Sequence, residues 1–204
     1  MGAEAACRMT FKGRTTRGKA RLESNTLEFR GDEVRLSIPF TKVSTISVRD
    51  GMLSLTSPDG TASFELGASA SRWAEKIRHP PSRLEKIGVK PEWKASAIGV
   101  EDQGFLDELE RAIAELTVGR LVRNADAIFF GASRAADLSR LARLKTMLKP
   151  NGAVWVIRPK GRPEVSERAV MAAGKAAGLV DVKVVGFSST HTAEKFVIPV
   201  SQRG

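Results

Sequence analysis

An α+β front domain followed by an α/β domain with a largely parallel sheet is the fold class this sequence predicts. Three observations predict it. From residue 8 to about residue 66, apolar and polar residues alternate in short runs parted by turn pairs such as Gly31-Asp32 and Asp50-Gly51, the period-two signature of antiparallel strands. His79-Pro80-Pro81-Ser82 then stops all periodicity, because proline removes an amide donor and fixes φ. Beyond it, the continuous apolar runs 125–130 and 153–157 alternate with segments of helical spacing, as central parallel strands and their covering helices do. The expected division is a front domain over 1–79, a linker over 80–93 and an α/β domain over 94–204.

The elements follow in order. Arg17 to Leu22 leads through Glu23-Ser24-Asn25 into the alternating Thr26 to Arg30, and Val34 to Ile38 alternates again before Pro39. Val43, Ile46 and Val48 continue, Asp50-Gly51 turns the chain into Met52 to Thr56, and Pro58-Asp59-Gly60 turns it once more toward Ala62, Phe64 and Leu66. The period then changes. Ala70, Trp73, Ala74 and Ile77 share one helical face, with Ser69 or Ser71 as the N-cap. Six or seven antiparallel strands closed by one helix is the outline of a pleckstrin-homology-like (PH-like) barrel. In the second half, 94–99 reads as a first strand and Phe105, Leu106, Leu109 and Ile113 as a helix. A strand follows at 125–130, then a helix striped by Leu138, Leu141, Ala142 and Leu148, ending in Lys149-Pro150-Asn151-Gly152 with Asn or Gly in a left-handed cap. The strand 153–157 precedes an alanine-rich helix to Gly178, and two strands, 182–187 and 195–200, close the chain. No second or third strand is legible between Gly99 and Asp126.

Composition bounds the chemistry. A net charge of +10 favours anionic partners, and it is spread over both halves: residues 1–79 hold 13 Lys+Arg against 9 Asp+Glu, and residues 80–204 hold 20 against 14. Such a balance concerns encounter and solubility, not fold. No run reaches the roughly 18–20 apolar residues a membrane span needs, and the N-terminus lacks a basic start followed by an apolar stretch, so a soluble, cytoplasmic protein is expected. The single cysteine, Cys7, excludes an internal disulfide, and two isolated histidines, His79 and His191, with no cysteine or carboxylate cluster make a metal site unexpected.

The run Leu148-Lys149-Pro150-Asn151-Gly152-Ala153-Val154-Trp155-Val156 resembles the entry to the fifth strand of the S-adenosylmethionine-dependent methyltransferase fold. The helix and terminal strand pair after it match as well. More specifically, Phe29 to Asp32, Ile38-Pro39-Phe40, Leu84 to Pro91 and Thr190 to Pro199 resemble an uncharacterised bacterial domain-of-unknown-function family. That family joins a PH-like N-terminal half to a shortened, methyltransferase-like (Rossmann-like) C-terminal sheet. The resemblance covers about Gly18 to Pro199 and implies a fold without an activity. Methyltransferases follow the first strand with an acidic residue and several glycines, and hold the ribose hydroxyls with an acid ending the second strand. Here Gly99-Val100-Glu101-Asp102-Gln103-Gly104 has one glycine at the turn and carboxylates where small residues belong, so no cofactor is expected.

Ligands of open parallel sheets lie beyond the carboxyl ends of the strands. That edge carries Gly99, Gly131, Ser133, Arg134, Arg158, Lys160 and His191 as candidate ligand-binding residues. Each has a structural reading too: Ser133 as a helix N-cap ahead of Asp137, Arg158 and Lys160 as polar strand ends, and His191 as a hydrogen-bonding residue of a Ser/Thr-rich connection with no acid nearby in sequence to orient it. Lys12, Arg14, Arg17, Lys19 and Arg21 span the first hairpin and are polyanion candidates, or else one solvated strand face. No nucleophile elbow or phosphate-binding glycine loop is present. The expected function is a non-catalytic binding or regulatory module with a protein or anionic partner. The alternatives are an S-adenosylmethionine-dependent methyltransferase or other small-molecule enzyme with an atypical pocket, and a nucleic-acid or polyanion binder, which nothing but charge supports.

Overall fold

The computed structural model describes residues 3–203; Met1 and Gly2, the first two residues of the N-terminal segment read above, and Gly204 lie outside the described residues. The chain divides into two compact units, Met1–Pro81 and Ser82–Gly204.

In the first unit, β1 (Ala3–Phe11), β2 (Arg14–Leu22), β3 (Thr26–Gly31), β4 (Arg35–Pro39), β5 (Thr45–Arg49), β6 (Met52–Ser57) and β7 (Gly60–Glu65) form one antiparallel sheet in the order β4-β3-β2-β1-β7-β6-β5. Two hairpins turn through paired left-handed residues, Lys12-Gly13 at φ 50° and 75° and Asp50-Gly51 at φ 49° and 77°. Both match the two-residue turn whose twist suits paired strands. Inward residues of alternating strands, among them Met9, Leu27, Phe29, Leu53 and Phe64, are fully buried with Trp73 and Ala74 of α1 (Ala70–Arg78). Each such large side chain contributes about 1.5–3 kcal/mol. Ser69 precedes α1 but its hydroxyl makes no cap bond, because a 3-10 turn, Gly67–Ser69, already carries the chain into the helix.

The second unit begins inside the expected linker. Ser82 and Glu85 form a capping box on α2 (Arg83–Ile87), which Gly88 ends at φ 80°. Then come β8 (Lys94–Ile98), α3 (Gln103–Ala112), β9 (Glu115–Val118), β10 (Ala125–Gly131), α4 (Leu141–Lys145), β11 (Leu148–Pro159), α5 (Glu167–Ala176), β12 (Val180–Gly186) and β13 (His191–Val197). The sheet order is β12-β13-β11-β10-β8-β9. β9, β8, β10 and β11 run parallel, and β13 lies antiparallel between β11 and β12. Alternate residues of the central strands feed opposite cores. Ile128, Phe130, Val154 and Val156 pack with Leu141, Leu144 and Val170 of α4 and α5, while Phe129 and Trp155 pack with Phe105 and Leu109 of α3.

Four expectations change. A second strand exists, the four-residue β9. The helix expected from Leu138 onward is a 3-10 turn, Ala135–Arg140, followed by the short α4, and Leu148 already belongs to β11. Lys149 to Gly152 are therefore strand, not a left-handed cap: Ala125 pairs with Leu148 and Ala127 with Ala153, and the register shift absorbs the extra residues. The closing strands start earlier than read, β12 by two residues and β13 by four, and β12 carries a bulge between Asp181 and Lys183.

Candidate cavity at the carboxyl edge of the second sheet

The carboxyl ends of β8 and β10 meet through glycines. A Cβ on Gly131 would lie 1.8 Å from the Gly99 carbonyl oxygen, and Gly99 itself takes φ +65°. Only residues without side chains allow two strand ends this close, and their approach opens a cavity of about 370 Å³ beyond them. That volume falls in the range of small-molecule sites, roughly 300–1,000 Å³. Val100, Ile157 and Phe187 line it with apolar surface; Glu101 and Asp102 bring carboxylates, and Ser133, Ser188, Thr190 and His191 bring polar groups.

The acidic side is held by Arg83, which sequence reasoning assigned to a linker. Its Nε and Nη2 donate to the two oxygens of Glu108 at 2.8 and 2.9 Å, and its Nη1 donates to Asp102 Oδ2 at 2.6 Å. The guanidinium also lies 5.2 and 5.5 Å from the ring centroids of Phe105 and Phe187. Asp102 caps α3 through the Phe105 amide. Burial opposes its charge, yet the Phe105 amide, Arg83 and the nearby His191 outweigh burial and hold its carboxyl below the ordinary value. Replacing Arg83 by Met is expected to cost about 1–3 kcal/mol, the magnitude of leaving partly buried hydrogen-bonding groups unpaired. Urea unfolding of the variant measures it, and an unchanged midpoint would remove Arg83 from the architecture of the site.

The opposite side is a short connection folded on itself. The Ser188 hydroxyl accepts from the amides of Thr190 and His191, and Lys160 Nζ donates to the carbonyls of Ser188 and Ser189 at 2.9 and 3.1 Å. His191 Nδ1 is 2.9 Å from Thr190 Oγ1. The acid that the sequence did not place near His191 is Asp102, across the cavity from a different element.

Of the seven edge candidates, Gly99, Gly131, Ser133 and His191 line the cavity. Lys160 ties down the connection instead. Arg134 lies exposed beside Asp137, whose carboxylate accepts from the amides of both Ser133 and Arg134. The Ser133 hydroxyl thus plays no capping part; the acid does that work. Arg158 is corrected most: it is buried, and its Nε and Nη2 both meet Glu194 Oε1, at 2.8 and 2.7 Å. Burial pushes the Glu194 carboxyl above its usual value even against that guanidinium. In the first unit the basic series splits. Lys12 and Arg14 sit at the hairpin tip beside a hollow with Phe11 and Val34. Lys19 and Arg21 face the other way and pair with Glu4.

No protein-family model matches the chain. No curated protein matches it in sequence. Among solved structures it is similar to a SAM-dependent methyltransferase from Aquifex aeolicus, at 18% identity and TM-score 0.44 over 61% of this chain and 96% of that one. It is similar also to the fibrillarin pre-rRNA processing protein of Methanococcus jannaschii, at 14% and 0.40 over 87% and 95%. A third is a TehB-like SAM-dependent methyltransferase from Corynebacterium glutamicum, at 14% and 0.41 over 64% and 96%. At these identities and TM-scores the matches assign this chain neither a family nor an activity. Structures named as methyltransferases recur among these neighbours, against the expectation of a non-catalytic module.

Proposed function

We propose that the second unit is a small-molecule enzyme of the S-adenosylmethionine-dependent methyltransferase class, with its ligand in the cavity beyond β8, β10 and β11. The observation that carries the reading is the Gly99–Gly131 approach, which opens a cavity of ligand size at the sheet edge where open α/β folds bind. The donor set suits such a ligand. Glu101 and Asp102 offer negative charge to a group bearing sulfonium and ammonium cations, and Val100, Ile157 and Phe187 offer apolar surface to a base. The end of β9 departs from the pattern, because Val118-Gly119-Arg120 supplies no carboxylate for ribose hydroxyls. Bound there, the cofactor would supply an activated methyl group. His191, engaged at Nδ1 by Thr190, is the residue we assign to take a proton from an incoming nucleophile, while Arg83 keeps Asp102 ionised beside it. For the first unit, seven antiparallel strands and one closing helix support a PH-like sheet, and the pairing of two such units supports the family resemblance.

Thermal unfolding with S-adenosylmethionine and S-adenosylhomocysteine tests this. A ligand at one hundred times its Kd adds about 2.7 kcal/mol, a rise of roughly 5–10 °C for a chain of this size. The rise should saturate in the natural sequence and vanish in Ser133→Trp, which fills the cavity from an exposed position. No shift at millimolar concentrations of either compound would end the assignment.

A further inference from the structure

The outer face of the first sheet places like charges directly opposite one another. Lys19 on β2 faces Arg30 on β3, Arg30 faces Arg35 on β4, and in the adjoining row Arg8 on β1 faces Arg17 on β2. All five are exposed. Strands lie about 4.8 Å apart, so three cations form a row about 10 Å long, with a second row two residues along the strands. Directly opposed like charges destabilise a sheet, and folding gains nothing from this arrangement. Carboxylates relieve only part of it: Glu4 takes Lys19 and Arg21, Glu65 takes Arg8, and Glu28 lies opposite Arg21. Among the described residues, Arg17, Arg30 and Arg35 have no carboxylate partner.

We infer that this face is a docking surface for the phosphate backbone of a DNA duplex. Guanidinium forks match phosphate oxygens bidentately, and the unpaired cations here are all arginines. The ring-bearing Phe11 and Phe29 belong to the inner face, so the outer face has no aromatic on which unpaired bases stack. That favours a duplex over a single strand. The residues around the arginines, Ala6, Thr10, Thr15 and Ser37, are small and polar and offer a bilayer nothing apolar to hold, which disfavours a membrane. The surface is distinct from the Lys12–Arg14 hairpin tip and independent of the cavity in the second unit.

The test is fluorescence anisotropy of the full chain with a labelled 20-base-pair DNA duplex from low to moderate salt. Three phosphate contacts, each releasing condensed counterions, give a slope of log K against log salt of about −2.7, and Arg30→Gln/Arg35→Gln should reduce its magnitude by about 2. The same variant should melt no lower than the natural protein, since it relieves a repulsion, and should keep any response to S-adenosylmethionine. Three results would overturn the inference: an unchanged slope in that variant, loss of binding in Lys12→Gln/Arg14→Gln instead, or tighter association with single-stranded DNA or phosphatidylserine vesicles than with the duplex.

Discussion

Replacing Arg158 by Met should destabilise the second unit by about 3–5 kcal/mol at neutral pH, the cost of leaving a buried charge without its partner. That is a large part of the 5–15 kcal/mol by which domains are typically stable. Glu194 has no exposed surface, and both nitrogens of Arg158 that reach it bind the same oxygen, leaving Oε2 without a partner among the described residues. The pH dependence follows from the direction of its shift. Because burial raises the folded carboxyl above the ordinary value of 4.5, the folded state holds this proton more tightly than the unfolded chain. The group's contribution is thus fully present below the unfolded value and is lost as pH rises through the folded one. Removing Arg158 takes away the opposing cation, so the folded value climbs further and the deficit widens as pH rises. Urea midpoints at pH 5 and pH 8 should therefore show a smaller loss for the variant at pH 5, and adding Glu194→Gln should recover much of the loss at pH 8. An equal loss at both pH values would mean that Glu194 is not the group left stranded.

The second large effect concerns the glycine contact beneath the cavity. In Gly131→Ala the new methyl group meets the Gly99 carbonyl at 1.8 Å for oxygen and 2.6 Å for carbon. Both are backbone atoms of the neighbouring strand end, so no flexible side chain can yield. Overpacking of this kind costs about 1–3 kcal/mol, and relief requires β8 and β10 to part where they line the cavity. The variant should melt several degrees lower and lose its response to S-adenosylmethionine even at temperatures where it remains folded. Gly186→Ala is the matched control, since a Cβ there meets nothing within 4 Å. Equal melting temperatures for the two variants would show that the strand ends are free to separate.

The central strands were legible because the runs at 125–130 and 153–157 are apolar throughout, as strands covered on both faces are. The hairpin at Asp50-Gly51 was legible because its turn chemistry is local. β9 was not, since Glu115–Val118 is four residues long with one half-buried leucine and no flanking alternation. Lys149 to Gly152 misled because proline, asparagine and glycine usually end helices, whereas here a shift of register in β11 accommodates them. The cavity was partly legible: the carboxyl-edge rule found Gly99, Gly131, Ser133 and His191. It also drew in Arg158 and Lys160, because sequence says which strand end a residue occupies but not what lies across from it. Arg83 was missed for the same reason. Its partners are the N-cap Asp102 and Glu108 of another helix, and no periodicity links a capping segment to an acid 19 or 25 positions on.

The place of β13 bears on the order in which the sheet can be made. It is synthesised last among the strands, yet it lies between β11 and β12, both of which emerge before it. Until His191–Val197 arrives, β12 has no neighbour to bond and β11 presents an open strand edge beside its buried run from Ala153 to Ile157. Open apolar edges recruit other chains. A protein interrupted between residues 177 and 190 would therefore carry its helices and four parallel strands and still expose its stickiest edge. The final insertion is what turns a growing chain at risk of aggregation into a closed one.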